Sequence, residues 1–274
     1  MNGWEAVIEA LKTEKVKFVF GLPTLHLMAY LKDTPEIRPI QVRHEASAVF
    51  MAMAYARLSG NPGVVYASPG PGVANMTPGI LEAYAACTPL IAICPGVNLE
   101  TEGKGAFQET DQVSLFKPIT KWSSRIPLVD RIPWFMERAF MLAINGKPGP
   151  IFLELPSDVA YAKVKEPIRY TSSKRIRVRG DFELIKEAVK LILEAERPVV
   201  VAGGGVVLSR AFQELKEFVE LLGIPILTTA SGRGSIPEDH PLALGLVGLY
   251  RTNLGKKVYQ EADLLINFGS RFEE

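Results

Sequence analysis

The sequence predicts an α/β protein in two parts, the first a doubly wound parallel sheet. Three observations carry that expectation. Apolar segments of strand length alternate with amphipathic helical ones almost from the first residue, the pattern of consecutive strand–helix units. The segment Val64-Val65-Tyr66-Ala67 is a short continuous apolar run, as strands covered on both faces are. Strand exits are rich in glycine and proline, as at Gly21-Leu22-Pro23 and Ser68-Pro69-Gly70-Pro71-Gly72. The handedness rule for crossovers then favours helices wound over both faces of one sheet.

The elements follow in order. A helix over residues 4–13 places Trp4, Val7, Ile8 and Leu11 on one face. A strand over 16–20 ends in the Gly21 turn, and Thr24 is a cap candidate for a helix carrying Leu27, Met28 and Leu31. A strand over 39–42 leads through Arg43-His44-Glu45 into a helix that Ser59-Gly60-Asn61-Pro62-Gly63 stops. After the strand over 64–67 and its turn come a helix with Ile80, Leu81 and Tyr84 and a strand over 89–94. A polar loop over 95–110 interrupts the rhythm. A short helix near 113–116, a strand over 121–126, a helix over 132–144 and a strand over 150–155 close the first part.

Residues 161–180 change character, with Lys163, Lys165, Arg169, Lys174, Arg175, Arg177 and Arg179 against the acid Glu166. That composition reads as a solvated linker in extended form. The second part has three clear strands, over 198–202, 224–228 and 263–268, with helices over 182–195, 211–222 and 254–262. It ends at a strand exit, so an incomplete second domain with an open strand edge is expected.

Bulk composition narrows the classes. The 274 residues are 47% apolar and 22% charged with net charge +1, which fits a soluble globular protein and gives no case for nucleic acid or a membrane surface as partner. Two cysteines, Cys87 and Cys94, form no CxxC pair and have no histidine cluster beside them. Neither a disulfide framework nor a metal site is expected, and a cytoplasmic location is.

Several residues stand out chemically. Glu45 follows a strand and opens a helix, at the edge of an α/β sheet where ligands bind, and equally where an acid suits the helix dipole. The Gly70-Pro71-Gly72 turn has no Gly-Lys-Ser/Thr ending and is no Walker loop. Phe107 and Gln108 sit in the long polar loop, and loops of that length are commonly functional. Gly203-Gly204-Gly205 follows an apolar strand without completing GxGxxG, so it cradles a different dinucleotide or is a tight turn. No Gly-x-Ser-x-Gly elbow or nucleophile triad is present.

In order and spacing, these pieces resemble the thiamine-diphosphate enzymes of the acetolactate synthase group. The matching run is Phe20-Gly21-Leu22-Pro23, Arg43-His44-Glu45, Gly70-Pro71-Gly72-Val73-Ala74-Asn75, Ala106-Phe107-Gln108-Glu109 and Thr120-Lys121-Trp122. It continues through Gly146-Lys147-Pro148-Gly149-Pro150, Leu155-Pro156-Ser157-Asp158-Val159, Gly203-Gly204-Gly205 and Gly269-Ser270-Arg271-Phe272. The resemblance implies a pyrimidine-binding domain over residues 1–160, a linker over 161–180 and an incomplete Rossmann-like central domain over 181–274. It implies that Glu45 hydrogen-bonds the cofactor's pyrimidine ring and drives proton removal at the thiazolium, with Phe107 and Gln108 facing the reacting atoms. Gly21, Leu22, Pro23, Gly70, Pro71, Gly72 and Asn75 would border the pyrimidine, and Gly203, Gly204 and Gly205 would contact a cofactor.

The departures shape the remaining expectations. No Gly-Asp-Gly motif for diphosphate and Mg²⁺ occurs in the sequence, so both would be held by a separate subunit, with a homodimer or larger assembly completing the site. A truncated chain or a non-catalytic regulatory homologue is the alternative. Lys147 stands where such enzymes carry a flavin-contacting arginine, and Gly245-Leu246-Val247-Gly248-Leu249-Tyr250 departs from their flavin segment; FAD is left open on that account. The expected substrate is a 2-oxo acid, with pyruvate-to-2-acetolactate chemistry as the type reaction.

Overall fold

A computed structural model describes residues 1–22, 26–165 and 169–272. Pro23, expected at the cofactor turn, Thr24, expected as a cap, and Glu166 lie outside the described residues. The chain divides into two compact units, Met1–Ile176 and Arg177–Glu274.

The first unit begins with α1 (Gly3–Thr13), whose capping box is explicit: the Glu5 N–H donates to Asn2 Oδ1 at 3.0 Å and the Asn2 N–H to Glu5 Oε2 at 2.7 Å. Then come β1 (Phe18–Gly21), α2 (Leu27–Leu31), β2 (Arg38–Gln41), α3 (Glu45–Ser59) and β3 (Gly63–Tyr66). Gly60 ends α3 at φ 78°, the left-handed conformation that favours glycine. Next are α4 (Pro71–Asn75), α5 (Thr77–Ala85), β4 (Leu90–Gly96), α6 (Gln112–Phe116), β5 (Trp122–Arg125), α7 (Ile132–Ile144), β6 (Pro150–Pro156) and α8 (Ser157–Tyr161).

The six strands form one sheet in the order β2-β1-β3-β4-β6-β5, every pair parallel. Alternation along the strands explains the double winding. Val64, Tyr66, Ile91 and Ile93 enter one apolar layer with Trp4 and Leu11 of α1 and Phe135 and Met136 of α7. Val65, Ala67, Ala92 and Cys94 enter the other, with Val49 and Ala52 of α3 and Ile80 of α5. Both faces are therefore apolar and both are covered. Lys121 ties the end of α7 to the sheet, its ammonium donating to the Asn145 carbonyl at 2.8 Å and to that of Leu142. Burial there holds the Lys121 pKa below its ordinary value.

The basic run starts within this unit. The Tyr170 hydroxyl donates to Glu14 Oε1 at 2.8 Å, the Ser173 N–H to the same oxygen at 2.9 Å, and the Ile176 N–H to Asn145 Oδ1 at 2.6 Å.

The second unit comprises α9 (Phe182–Glu194), β7 (Pro198–Ala202), α10 (Gly204–Ser209), α11 (Phe212–Leu222), β8 (Ile226–Thr228), β9 (Ala243–Leu246), α12 (Asn253–Glu261) and β10 (Leu264–Phe268). Its sheet is parallel in the order β10-β7-β8-β9. Among the described residues four strands are present where three were expected. The additional one, β9, carries Gly245 at φ +108° beside a register shift against β8, and an interior glycine masks a strand in sequence.

Candidate active site

Strands β1, β3, β4 and β6 are parallel, so their exits share one edge of the sheet, and Gly21, Leu22, Glu45, Gly70, Gly72 and Asn75 gather there. β1 ends in Gly21, whose carbonyl accepts the Val42 N–H at 3.1 Å as β2 runs out. A Cβ at Gly21 would lie 2.4 Å from the Tyr66 carbonyl oxygen of β3, so close strand approach alone requires glycine. Leu22 is half-buried against the α3 side of the sheet.

Three residues past β2, His44 caps α3 by accepting the Ala46 N–H on Nδ1 at 3.2 Å. Glu45 is therefore free of capping duty and turns inward, 5% exposed. Its Oε2 accepts the Asn75 amide at 3.0 Å. Its Oε1 faces Gly72, where a Cβ would lie 3.0 Å from that oxygen and 2.6 Å from Ser68 Oγ. Gly72 thus leaves room beside the carboxyl, while Asn75 at the outer side is exposed.

Gly70 makes the turn possible. It holds φ 61° and ψ −109° as the residue before Pro71, the first residue of α4. Its N–H donates to Gln112 Oε1 at 3.1 Å, and a Cβ on it would lie 2.5 Å from the Gln108 carbonyl oxygen. The long loop therefore returns to this turn, placing Gln108 against Gly70. Phe107 projects outward and is 87% exposed. Glu109 braces the loop by accepting the N–H groups of Gly103 at 2.5 Å and Ala106 at 2.9 Å, which hold its carboxyl below the ordinary range.

Behind the turn lies a buried polar chain that sequence reasoning missed. Gln112 Nε2 donates to the Pro95 carbonyl at 3.1 Å and to Glu154 Oε2 at 2.9 Å. Glu154 is 2% exposed and pairs with the Arg125 guanidinium, which also grips Glu102 at 2.6 and 2.7 Å. Glu154 had a readable signal as the one acid in the apolar run Ile151-Phe152-Leu153-Glu154-Leu155. Gln112 had none. Cys94 is fully buried nearby, and burial pushes its thiol up, with the Glu154 and Glu45 charges adding to the effect.

Gly203, Gly204 and Gly205 belong to the second unit. There the Gly203 N–H donates to the Phe268 carbonyl at 2.8 Å and the Gly205 N–H to that of Gly269 at 2.9 Å. A Cβ at Gly203 or Gly205 would lie 2.5 or 2.7 Å from Gly269 atoms, so tight packing between two strand exits accounts for both. Lys147, at the flavin-related position, sits over the Tyr84 ring at 5.2 Å. Among the described residues no group of three or more His, Cys, Asp or Glu is placed to hold a metal, and no helix is long and apolar enough to cross a membrane.

A screened carboxyl backed by an amide, facing a side-chain-free glycine turn, suits a flat heteroaromatic ring with ring-nitrogen and amino substituents. Residues 1–115 match the family described as thiamine pyrophosphate enzyme, N-terminal TPP binding domain, and residues 185–274 match its central domain. The chain belongs to the thiamine pyrophosphate enzymes.

Its relatives are more particular. The "Probable acetolactate synthase large subunit" of Methanocaldococcus jannaschii is 41% identical over 100% of this chain and 48% of the relative. The acetolactate synthase large subunit of Haemophilus influenzae is 33% identical, and the isozyme 3 large subunit of Escherichia coli 35%, each over 100% of this chain and 49% of the relative. The chain thus spans about half the length of these curated relatives. A crystal structure of a "putative thiamin diphosphate-dependent enzyme" from Mycobacterium smegmatis superposes with TM-score 0.88 at 27% identity, covering 97% of this chain and 52% of that one.

Proposed function

We propose that this chain supplies the pyrimidine half of a thiamine-diphosphate site in an enzyme that decarboxylates and joins 2-oxo acids, with pyruvate-to-2-acetolactate chemistry as the type reaction. The observation that carries the reading is the Glu45 carboxyl, 5% exposed, held by Asn75 and open toward Gly72. Thiamine diphosphate, when bound, supplies carbanion chemistry at its thiazolium. Glu45 holds a proton at the pyrimidine ring nitrogen, and its screening from water strengthens that hydrogen bond. Asn75 keeps the carboxyl aimed. Gly70, Pro71 and Gly72, with Gly21 and Leu22 alongside, border the ring, while Gln108 and Phe107 face substrate.

The diphosphate and Mg²⁺ are held by polypeptide outside residues 1–274, within a homo-oligomer of the cytoplasm. Phe50 and Met51 of α3 and Leu81 of α5 are exposed at 47%, 42% and 50%, an apolar surface on the helix that Glu45 opens and its neighbour, suited to burial by another chain. FAD is not required by the reading. The test is to combine the chain with a polypeptide carrying the diphosphate half and follow pyruvate consumption with thiamine diphosphate and Mg²⁺. Activity that Glu45→Gln reduces by at least a hundredfold supports the reading. Full activity of Glu45→Gln overturns it.

A further inference from the structure

We propose that Gln112 is a positioning residue for the Glu45 site, hanging the turn over residues 70–75 from the buried Glu154 carboxylate. The proposal rests on the reading of Glu45 given above. Gln112 is 2% exposed, and both ends of its amide are committed. Oε1 accepts the Gly70 N–H, and Nε2 donates to the Pro95 carbonyl and to Glu154. The amide has one workable orientation, because the Gly70 N–H only donates and an ionised carboxylate only accepts.

Glu154 is itself fixed, so Gln112 hangs from a rigid point. Arg125 pairs with Glu154 from β5, and Gly96 lets the carboxylate lie flat against β4, since a Cβ there would come within 2.8 Å of Glu154 Cγ. On the other side, Gly70 directly precedes α4. The Val73 N–H donates to the Ser68 carbonyl at 3.1 Å and the Ala74 N–H to that of Gly70 at 2.9 Å, so the short helix moves with its first residue. The last residue of α4 is Asn75, the partner of Glu45. The Gln108 carbonyl rests where a Gly70 Cβ would be, so one anchor sets both the carboxyl's partner and the loop across from it. Sub-ångström placement of this kind governs reaction rates at groups the anchor never touches.

Gln112→Met keeps the length of the side chain and removes all three polar contacts. In the full chain, amide exchange read by mass spectrometry should accelerate tenfold or more in peptides covering residues 68–76 and 104–111, with β4 and β6 unchanged. In the reconstituted enzyme, affinity for thiamine diphosphate should fall about tenfold while KM for pyruvate stays within twofold. Gln112→Glu sets two carboxylates against each other at a 2.9 Å contact and should weaken cofactor binding further. Adding Glu154→Gln restores a donor to that pair and should recover most of the loss. Unchanged exchange over residues 68–76, a uniform rise across the whole first unit, or no rescue by the double variant overturns the proposal. If the wild-type assembly binds no thiamine diphosphate, the reading of Glu45 falls, and the exchange pattern alone decides whether Gln112 holds the turn.

Discussion

Glu45 and Asn75 stand 30 residues apart in sequence, and their side chains meet at 3.0 Å. β3 and the Gly70 turn bring them together, so the amide is a fixed support for the carboxyl. Asn75→Ala should lower turnover of the reconstituted enzyme by about ten- to a hundredfold, the scale of a small misplacement at a reacting group. Asn75→Asp should be worse, because a second carboxylate would face Glu45. Steady-state kinetics of the two variants, compared side by side, give the order.

Gly72→Ala adds a methyl 2.6 Å from Ser68 Oγ and 3.0 Å from Glu45 Oε1. Overpacking of this kind costs about 1–3 kcal/mol. The functional loss should exceed what that stability change explains, since the methyl occupies the space in front of the carboxyl. Titration calorimetry with thiamine diphosphate, alongside urea unfolding, separates the two effects.

Arg125 joins one buried and one half-exposed acid, Glu154 at 2% and Glu102 at 41% side-chain exposure. Arg125→Ala leaves the Glu154 charge without its cation and should cost about 3 kcal/mol. Glu102→Ala removes a solvent-screened partner and should cost less than about 1 kcal/mol. Equal losses for the two variants in urea unfolding would contradict the assignment of Glu154 as the buried anchor.

The thiols should differ in reactivity. Cys94 is fully buried with its thiol pKa pushed up, and Cys87 is half-buried. An aromatic disulfide reagent should modify one thiol in the native chain and the second only on unfolding, because the thiolate is the reactive form.

The loop bearing Phe107 and Gln108 should loosen in acid. Backbone N–H groups of Gly103 and Ala106 hold Glu109 below its ordinary value of 4.5. A depressed carboxylate contributes stability that is full above its unfolded pKa and is lost as pH falls through its folded one. Protection of the Gly103 and Ala106 amides should therefore be constant at neutral pH and be lost only below 4.5, as the carboxyl takes up its proton.

Much of the frame was legible in sequence because local pattern and tertiary demand coincide. The helix over residues 132–144 and the strand over 198–202 occur with the expected bounds, each marked by continuous periodicity or an unbroken apolar run. β9 escaped because Gly245 and its bulge interrupt the strand signal. The site was legible only in part. Glu45 read locally as a helix start, and its geometry depends on Asn75 and Gly72, which the chain delivers from a different strand exit. Gln112 was silent because nothing local distinguishes a buried glutamine from an exposed one; its partners Gly70, Pro95 and Glu154 are set by the sheet order.

The central claim, that Glu45 handles the proton that readies thiamine diphosphate, is tested most directly by deuterium exchange at the thiazolium C2 of the bound cofactor, followed by NMR after rapid quench. The account predicts that the reconstituted wild-type enzyme exchanges this proton at least a hundredfold faster than the Glu45→Gln variant with cofactor equally bound. Equal exchange rates in the two would contradict it.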